Sequence, residues 1–158
     1  MFIIDAKERG QIAKMYFLQG YGCCQSLLLA YHDIIGLDED KCAALGAPFG
    51  GGIGRMREVC GTVNGALMVY GIITGQTSPM TATEKNAYYS KIREFAEKFK
   101  FATGKCSINC RELLQNVSHT DGFIPEERNS DYYARRPCPE LCRISAEILA
   151  EMLQQYFQ

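Results

Sequence analysis

The chain has 158 residues, 47% of them apolar, and a net charge of −1, which is the composition of one ordinary globular domain with its own core. It has no basic surplus of the kind that nucleic-acid binding requires, and no acidic run that would indicate a solvating tail. The first residues, MFIIDAKERGQIAKM, carry charges directly after a short apolar start. We therefore predict no signal peptide and no membrane span, and we expect a cytoplasmic protein.

Helix signals follow one another along the chain, and no segment has a convincing strand pattern. Apolar residues recur at helical spacing, and capping residues or glycines mark most boundaries. The seven predicted helices cover, in chain order, about residues 5–19, 22–35, 39–45, 58–74, 82–103, 110–116 and 139–157. A glycine-rich loop, 46-GAPFGGGIG-54, separates the third helix from the fourth, and a polar loop, 117–137, precedes the last. The predicted fold is a single-domain, all-α bundle.

The fourth predicted helix lies in 58-EVCGTVNGALMVYGIITG-75, where one glycine directly follows a cysteine and another lies one turn later. Glycine inside a helix costs about 1 kcal/mol relative to alanine. Gly61 and Gly65 lie one turn apart and leave a bare strip of backbone beside Cys60, which either another helix or a cofactor could approach closely. The preceding loop, with Gly51 and Gly52, could present successive N–H groups to an anionic sulfur site or ligand. Helix packing and cofactor binding both stay open.

Cysteine is the unusual component of the composition. The eight cysteines are Cys23, Cys24, Cys42, Cys60, Cys106, Cys110, Cys138 and Cys142. In a chain without a secretion signal they are expected to be reduced, which favours a metal site or thiol redox chemistry over a disulfide scaffold. All eight lie at or near a predicted helix N-terminus, where the helix dipole and unpaired N–H groups stabilise a thiolate. We therefore expect thiol pKa values below the usual 8.5 or so.

Cysteine spacing limits the pairings that neighbouring thiols can make. Cys106 and Cys110, and likewise Cys138 and Cys142, are four positions apart. On a regular helix such neighbours have Cβ atoms about 5–6 Å apart, whereas a disulfide needs about 3.5–4.5 Å. A bridge within either pair would require its first cysteine to lie outside the helix. The repeated C-x₂-C of zinc sites, the ferredoxin run and a thioredoxin-like C-x-x-C are all absent, so a metal would need ligands from separate helices.

Together these segments resemble the C_GCAxxG_C_C family of redox-active proteins over about residues 10–155. The segments similar to the family's four cysteines contain Cys24 in GCCQSLLLAY, Cys60 in CGTVNGALMVYG, Cys110 in CRELL, and Cys142 ahead of the last helix. The segment 49-FGGGIG-54 is similar to the family's glycine loop. The resemblance implies redox-active cysteines, and by itself it supplies no reaction.

The chain departs from the family pattern in two ways. Thr62 stands where the family usually has alanine, and its hydroxyl could cap the helix or hydrogen-bond a sulfur. The second departure is an additional set of thiols that does not map onto the four family cysteines: Cys23, Cys42, Cys106 and Cys138. These extra thiols favour something more elaborate than one thiol pair.

Three functions compete at this point. In the first, thiolates at converging helix N-termini bind an iron–sulfur cluster or cycle between dithiol and disulfide in electron transfer. In the second, the chain is a zinc or other soft-metal module for structure, sensing or delivery. In the third, the cysteines are buried and inert, no cofactor is bound, and the domain acts through partners. Whether the chain is an enzyme stays open.

For the first function, the same four cysteines are assigned as catalytic, cofactor-binding and metal-binding residues. The catalytic, cofactor-binding and metal-binding thiols are Cys24, Cys60, Cys110 and Cys142, joined by Gly51, Gly52 and Gly61 for the cofactor and by Cys42, Cys106 and Cys138 as additional metal ligands. The expected partner is an electron donor or acceptor protein, with a homodimer left open and nucleic acid excluded.

Two arginine-containing segments could border such a site. Arg55 and Arg57 could add positive potential to the glycine loop, although solvated surface arginines are the more ordinary interpretation. The aromatic–basic stretch that contains Tyr132 and Arg136 lies just before Cys138. It could be a docking patch, and a loop folded over the core is the preferred interpretation.

Overall fold

The computed structural model describes residues 1–158, and the chain is all-helical, without a β-strand. Two short 3-10 segments, Ala47–Phe49 and Gln154–Phe157, accompany the α-helices. The nine α-helices are α1 Ala6–Leu18, α2 Cys23–Ala30, α3 His32–Ile35, α4 Glu39–Gly46, α5 Gly61–Thr74, α6 Ala82–Thr103, α7 Cys110–Leu113, α8 Ser130–Arg135 and α9 Cys138–Leu153.

Local capping chemistry explains the boundaries that the sequence predicts best. Helix α6 has the predicted ends because Thr81 and Glu84 form a reciprocal capping box. The Glu84 amide donates to the Thr81 hydroxyl at 3.2 Å, and the Thr81 amide donates to the Glu84 carboxylate at 2.8 Å. At the other end Gly104 takes the left-handed conformation, with φ 66°, that terminates many helices.

The structure has nine α-helices where the sequence analysis predicts about seven. The second predicted helix is interrupted at Tyr31, whose backbone leaves the helical region at φ −123° and ψ 7°. Its buried ring reaches α9, where the hydroxyl donates to the Ala146 carbonyl at 2.7 Å. In the predicted polar loop, Asn129 accepts a hydrogen bond from the Tyr132 amide at 2.9 Å and begins α8.

Helix α5 begins at Gly61, later than predicted, because the residues before it pair with another segment. An isolated antiparallel β-bridge joins Val59 to Asn109. Beside it the amides of Cys60 and Cys110 each donate to a carbonyl of the opposite segment, at 2.8 and 2.7 Å. The bridge therefore holds the starting ends of α5 and α7 side by side.

The helices share a hydrophobic core of 30 buried residues. Helix α9 packs against α1, α2, α5 and α6. Within this core the Ser145 hydroxyl donates to the Thr62 carbonyl at 2.8 Å, which fixes α9 against the first turn of α5. No helix has both the length and the apolar character that a membrane span requires.

The bare strip on α5 is occupied by α2. A Cβ atom added at Gly61 would lie 2.9 Å from both the Cys23 Cβ atom and the Cys24 backbone nitrogen. At Gly65 an added Cβ atom would lie 2.7 Å from the Leu27 Cβ atom and 2.9 Å from the Cys24 carbonyl oxygen. These glycines let the two backbones approach each other more closely than any side chain would permit.

We expect Gly65→Ala to lower the free energy of unfolding by about 1–3 kcal/mol, because the added methyl group overpacks a contact with backbone atoms. Gly71→Ala is the matched control on the same helix, since the nearest atom to an added Cβ there is the Tyr88 hydroxyl oxygen at 3.9 Å. It should raise stability by about 0.5–1 kcal/mol through helix propensity. Urea unfolding measures both changes, and equal effects at the two sites would contradict the close crossing.

Candidate thiol site

Five of the eight cysteine side chains lie where α2, α5, α7 and α9 begin. These five are Cys23, Cys60, Cys110, Cys138 and Cys142. Cys60 is the N-cap of α5, and the first residues of α2, α7 and α9 are Cys23, Cys110 and Cys138. Cys142 lies one turn further along α9. All the cysteines are free thiols.

Cys23 is the thiol that connects the two cysteines of α9, because its side chain interacts with both Cys138 and Cys142. The interaction with Cys138 lowers the pKa of Cys23, but the interaction with Cys142 and burial outweigh it, so that this pKa lies well above its usual value. The interaction with Cys23, together with burial, raises the pKa of Cys138 well above its usual value, and the cations of Arg136 and Arg128 oppose this shift.

Cys60 and Cys110 each have one polar partner. Burial raises the pKa of Cys60 to about 12, although a hydrogen bond of 3.1 Å between its sulfur and the Thr62 hydroxyl acts in the opposite direction. The hydrogen bond between Thr62 and a sulfur, anticipated from the sequence, is thus confirmed. Burial also raises the pKa of Cys110, and the Arg57 guanidinium, whose Nη1 atom lies 3.6 Å from the Cys110 sulfur, opposes it.

Three cysteines lie apart from this group or face away from it. Cys24 is buried on the other side of α2, where its thiol donates to the Met68 sulfur at 3.9 Å, and burial together with Cys60 raises its pKa to about 12. Cys42 lies in α4, where burial and nearby acidic residues raise its pKa. Cys106 is exposed in the loop that follows α6. None of these three borders the cavity described below.

The predicted thiol set and the observed group therefore overlap in part. The structure brings Cys60, Cys110 and Cys142 together and adds Cys23 and Cys138, which did not map onto the family cysteines in the sequence analysis. A helical-face argument could not have chosen between Cys23 and Cys24. Cys24 shares a face of α2 with Leu27 and Leu28, but Cys23 shares one with Ser26 and Leu27, and these three later residues are all buried.

The loop between Phe49 and α5 runs against Cys110 in an unusual backbone conformation. Gly52, at φ 70°, lies so close that an added Cβ atom would be 2.7 Å from the Cys110 Cβ atom. Ile53, Arg55 and Arg57 also have positive φ values of 66°, 63° and 61°. For residues other than glycine this conformation stores strain of the order of 1–3 kcal/mol each, and it persists only when the surrounding contacts hold it.

Two arginines of this loop fasten the polar loop 117–129 over the site. Arg55 donates to the carbonyl oxygens of Gly122 and Ile124, and to that of Thr120 at 2.8 Å. Arg57 donates to the Thr120 carbonyl at 2.7 Å and to the Asp121 carboxylate at 3.3 Å. Arg57 is buried rather than solvated, so the surface interpretation is wrong for this residue.

A cavity of about 310 Å³ opens beside the thiols. Three of the five grouped cysteines, Cys23, Cys110 and Cys138, border it together with backbone of the glycine loop that includes Gly51. Its charged lining consists of Arg55, Arg57, Arg128, Arg136 and Glu126. The cavity therefore combines nucleophilic sulfur with an excess of positive charge.

The segment before α9 forms one wall of this cavity. Tyr132 and Arg136 are buried, so the aromatic–basic stretch packs on the core as predicted, although most of it is helix α8 and not a loop. Arg136 donates through Nη2 to the Glu126 carboxylate, and its buried Nε atom has no hydrogen-bond partner. Arg128 lies 4.3 Å above the centre of the Phe17 ring and forms no salt bridge.

The prediction of ionised thiols at helix N-termini is wrong for the buried group. Burial in a low-dielectric core disfavours the charged form, and here it outweighs the helix termini and the arginines, so that every pKa in the group is raised. No group of three or more His, Cys, Asp or Glu side chains is placed so that it could hold a metal ion.

The chain is thus a helical thiol protein, in which five cysteines lie where four helices begin and three of them border a cavity. Comparison with family models identifies the family. The chain belongs to the C_GCAxxG_C_C family, whose model carries the description "Putative redox-active protein" and matches residues 21–152. The comparisons with curated proteins and with solved structures found no match. The chain is therefore a cysteine-rich member of a redox-active family.

We expect iodoacetamide to modify Cys23, Cys110 and Cys138 slowly at neutral pH, because only the thiolate reacts and the pKa values of these thiols are raised. Their rates should rise about tenfold per pH unit as the pH increases toward those pKa values. Quantitative peptide mapping measures each site separately, with exposed Cys106 as the internal control for reagent activity. A plateau reached below neutral pH at the three cavity thiols would contradict the raised pKa values.

Proposed function

We propose that the chain is a thiol–disulfide redox protein in which Cys23 alternates between a free thiol and a disulfide with a cysteine of α9. The observation that carries this proposal is that Cys23, on α2, and Cys138, on α9, border the same cavity, with Cys142 one turn further along α9. Membership in a redox-active family supports the same class of chemistry.

The spacing along α9 supports Cys23 as the shared partner. Cys138 and Cys142 lie four residues apart on a regular helix, where Cβ atoms are about 5–6 Å apart, too far for an unstrained disulfide. Cys23 comes from another helix and is not subject to that limit. Cys138 borders the cavity, whereas Cys142 is fully buried and does not border it. We therefore assign Cys23 and Cys138 as the primary pair, with Cys142 as the internal alternative.

Thiol–disulfide exchange requires no group beyond the two cysteines and a partner disulfide. One thiol loses its proton, and its sulfur attacks the partner disulfide and displaces one of the partner sulfurs as a thiolate. The second cysteine then displaces the other partner sulfur, which forms the internal disulfide. The chain loses two electrons and two protons, and the partner disulfide gains them. The reverse sequence oxidises a partner dithiol.

The cations around Cys138 and Cys110 would assist the ionisation step. Arg136 and Arg128 act to lower the pKa of Cys138, and Arg57 acts to lower that of Cys110. Each stabilises the thiolate that attack requires, although burial keeps the resting group protonated. The chain would thus hold its thiols unreactive until a base or a bound partner favours deprotonation.

Metal chemistry fits the donor set but not its placement. Five thiols would satisfy the Cys₄ ligation of an iron–sulfur cluster, and the neighbouring arginines would balance an anionic cluster. However, no three potential ligands are placed to hold a metal ion, and this applies equally to zinc. The proposed reaction therefore uses only the cysteines, and metal analysis of anaerobically purified protein is part of its test.

The test is to oxidise the reduced chain in a series of dithiothreitol redox buffers, trap free thiols, and map disulfides by mass spectrometry. We expect one internal disulfide, between Cys23 and Cys138. Cys23→Ser should abolish it, whereas Cys138→Ser should shift the pairing to Cys23 and Cys142. Cys24→Ser, the adjacent residue that faces Met68, is the matched control and should keep the wild-type disulfide.

Two results would overturn this proposal. One is an internal disulfide that persists unchanged in Cys23→Ser, since another pair would then be the redox pair. The other is stoichiometric iron and acid-labile sulfide in the anaerobic wild-type protein that is lost on serine substitution of the same cysteines. Circular dichroism of each variant shows whether the helical fold is retained.

A further inference from the structure

The cavity beside the thiols has more positive charge than its own carboxylate can neutralise. Glu126 is the one acidic residue in the lining, and it pairs with both Arg135 and Arg136. Burial would raise its pKa, but these two arginines and the Thr120 amide hold the pKa at about 2, so Glu126 is a carboxylate already in use. None of the other arginines that border the cavity forms a salt bridge with Glu126.

Arg57 and Arg136 are buried, and each has one carboxylate partner, Asp121 and Glu126 respectively, but neither guanidinium is fully paired. The side chains of Arg57 and Arg136 are each only 3% exposed. The Nε atom of Arg136 has no partner at all, and the partner of Nη1 of Arg57 is the Cys110 sulfur, a weak acceptor, at 3.6 Å. Buried polar groups are normally hydrogen-bonded. A bound anion with planar oxygens would satisfy both guanidinium groups.

The remaining two arginines keep their charge without a carboxylate. Arg55 donates to main-chain carbonyl oxygens of the polar loop. Arg128 donates to the carbonyl oxygens of Phe17 and Tyr21, each at 3.3 Å, and stacks on the Phe17 ring. Carbonyl dipoles and ring faces fix these cations in place but leave their net charge uncompensated. Arg55 and Arg128 therefore add positive charge, without a carboxylate partner, to the space that Arg57 and Arg136 also border.

The size of the space limits the ligand to a small molecule. A volume of about 310 Å³ lies at the lower end of the range for small-molecule pockets. Cys23 and Cys138 open onto this space, so a ligand held by Arg57 and Arg136 would have its reactive atoms beside the proposed redox pair. A disulfide is the functional group that a dithiol can reduce without any other reactant.

We propose that the cavity binds a small disulfide bearing carboxylate groups, with the carboxylates on Arg57 and Arg136 and the disulfide at Cys23 and Cys138. This assignment rests on the thiol–disulfide function proposed above. The Cys138 sulfur attacks one ligand sulfur and releases the first half as a thiol. Cys23 then displaces the second half, which closes the internal disulfide. One ligand disulfide becomes two thiols, and the two cysteine protons accompany the two electrons.

The experiment compares three small disulfides that differ in charge: dithiodiglycolate, a dianion; hydroxyethyl disulfide, which is neutral; and cystamine, a dication. Each is added to the reduced full-length chain, and formation of the Cys23–Cys138 disulfide is followed by acid quenching and mass spectrometry. Each rate is divided by the rate of the same probe with free cysteine methyl ester. We expect the normalised rate of the dianion to exceed that of the neutral probe by about tenfold, and cystamine to be slowest.

Arg57→Gln and Arg136→Gln should each reduce the ratio of the dianion rate to the neutral rate. Arg143→Gln is the matched control on α9, because Arg143 pairs with Glu140 and Glu147 on another surface, and it should keep the wild-type ratio. A salt titration of the wild type needs no variant, since added chloride should lower the dianion rate selectively.

The outcomes separate the two proposals. Equal normalised rates for the three probes, a preference for cystamine, or a ratio that is the same in wild type and both arginine variants would overturn the anionic substrate, even if Cys23 and Cys138 still become oxidised. If none of the three disulfide probes oxidises Cys23 and Cys138, and the probes react only with exposed Cys106, the thiol–disulfide function itself fails.

Discussion

The close crossing of α2 over α5 is the contact on which the thiol site depends. Because Gly61 and Gly65 have no side chains, the first turn of α2 lies directly on the α5 backbone, and this places Cys23 beside the start of α9. The Val59–Asn109 bridge then holds Cys60 and Cys110 next to each other. Neither arrangement comes from a cysteine motif, since both are backbone contacts between segments distant in sequence.

Burial and positive charge act on these thiols in opposite directions. Burial raises the pKa of each thiol in the group, while Arg57, Arg128 and Arg136 stabilise the ionised sulfur of Cys110 or Cys138. A site of this kind keeps its sulfurs protonated at rest and still provides a counter-charge when one of them reacts. This balance differs from that of an exposed redox motif, whose thiolate is available to any oxidant in the solvent.

Local signals predicted much of the helical framework. The capping box at Thr81 and Glu84 and the left-handed Gly104 gave both ends of α6, because these interactions involve residues a few positions apart. The interruption at Tyr31 could not be predicted in this way, since the ring is anchored by a carbonyl of α9. The same applies to α5, whose start is delayed by pairing with the segment before α7.

The candidate site was harder to predict than the fold. Cys60, Cys110 and Cys142 could be selected because their surroundings resemble the family pattern. The choice of Cys24 over Cys23 depends on which of them faces the start of α9, and the sequence leaves that undecided because the residues three and four positions after each cysteine are buried. The raised pKa values follow from burial, which a linear sequence does not specify.

Cys23 lies near the start of the chain and Cys138 near its end, so a disulfide between them would link the redox state to the stability of the fold. A covalent link between them would enclose most of the polypeptide in a single ring. In the chain-entropy description, closing a ring on the order of 100 residues restricts the unfolded ensemble by about 4–5 kcal/mol. The oxidised molecule would then resist heat and proteases better than the reduced one.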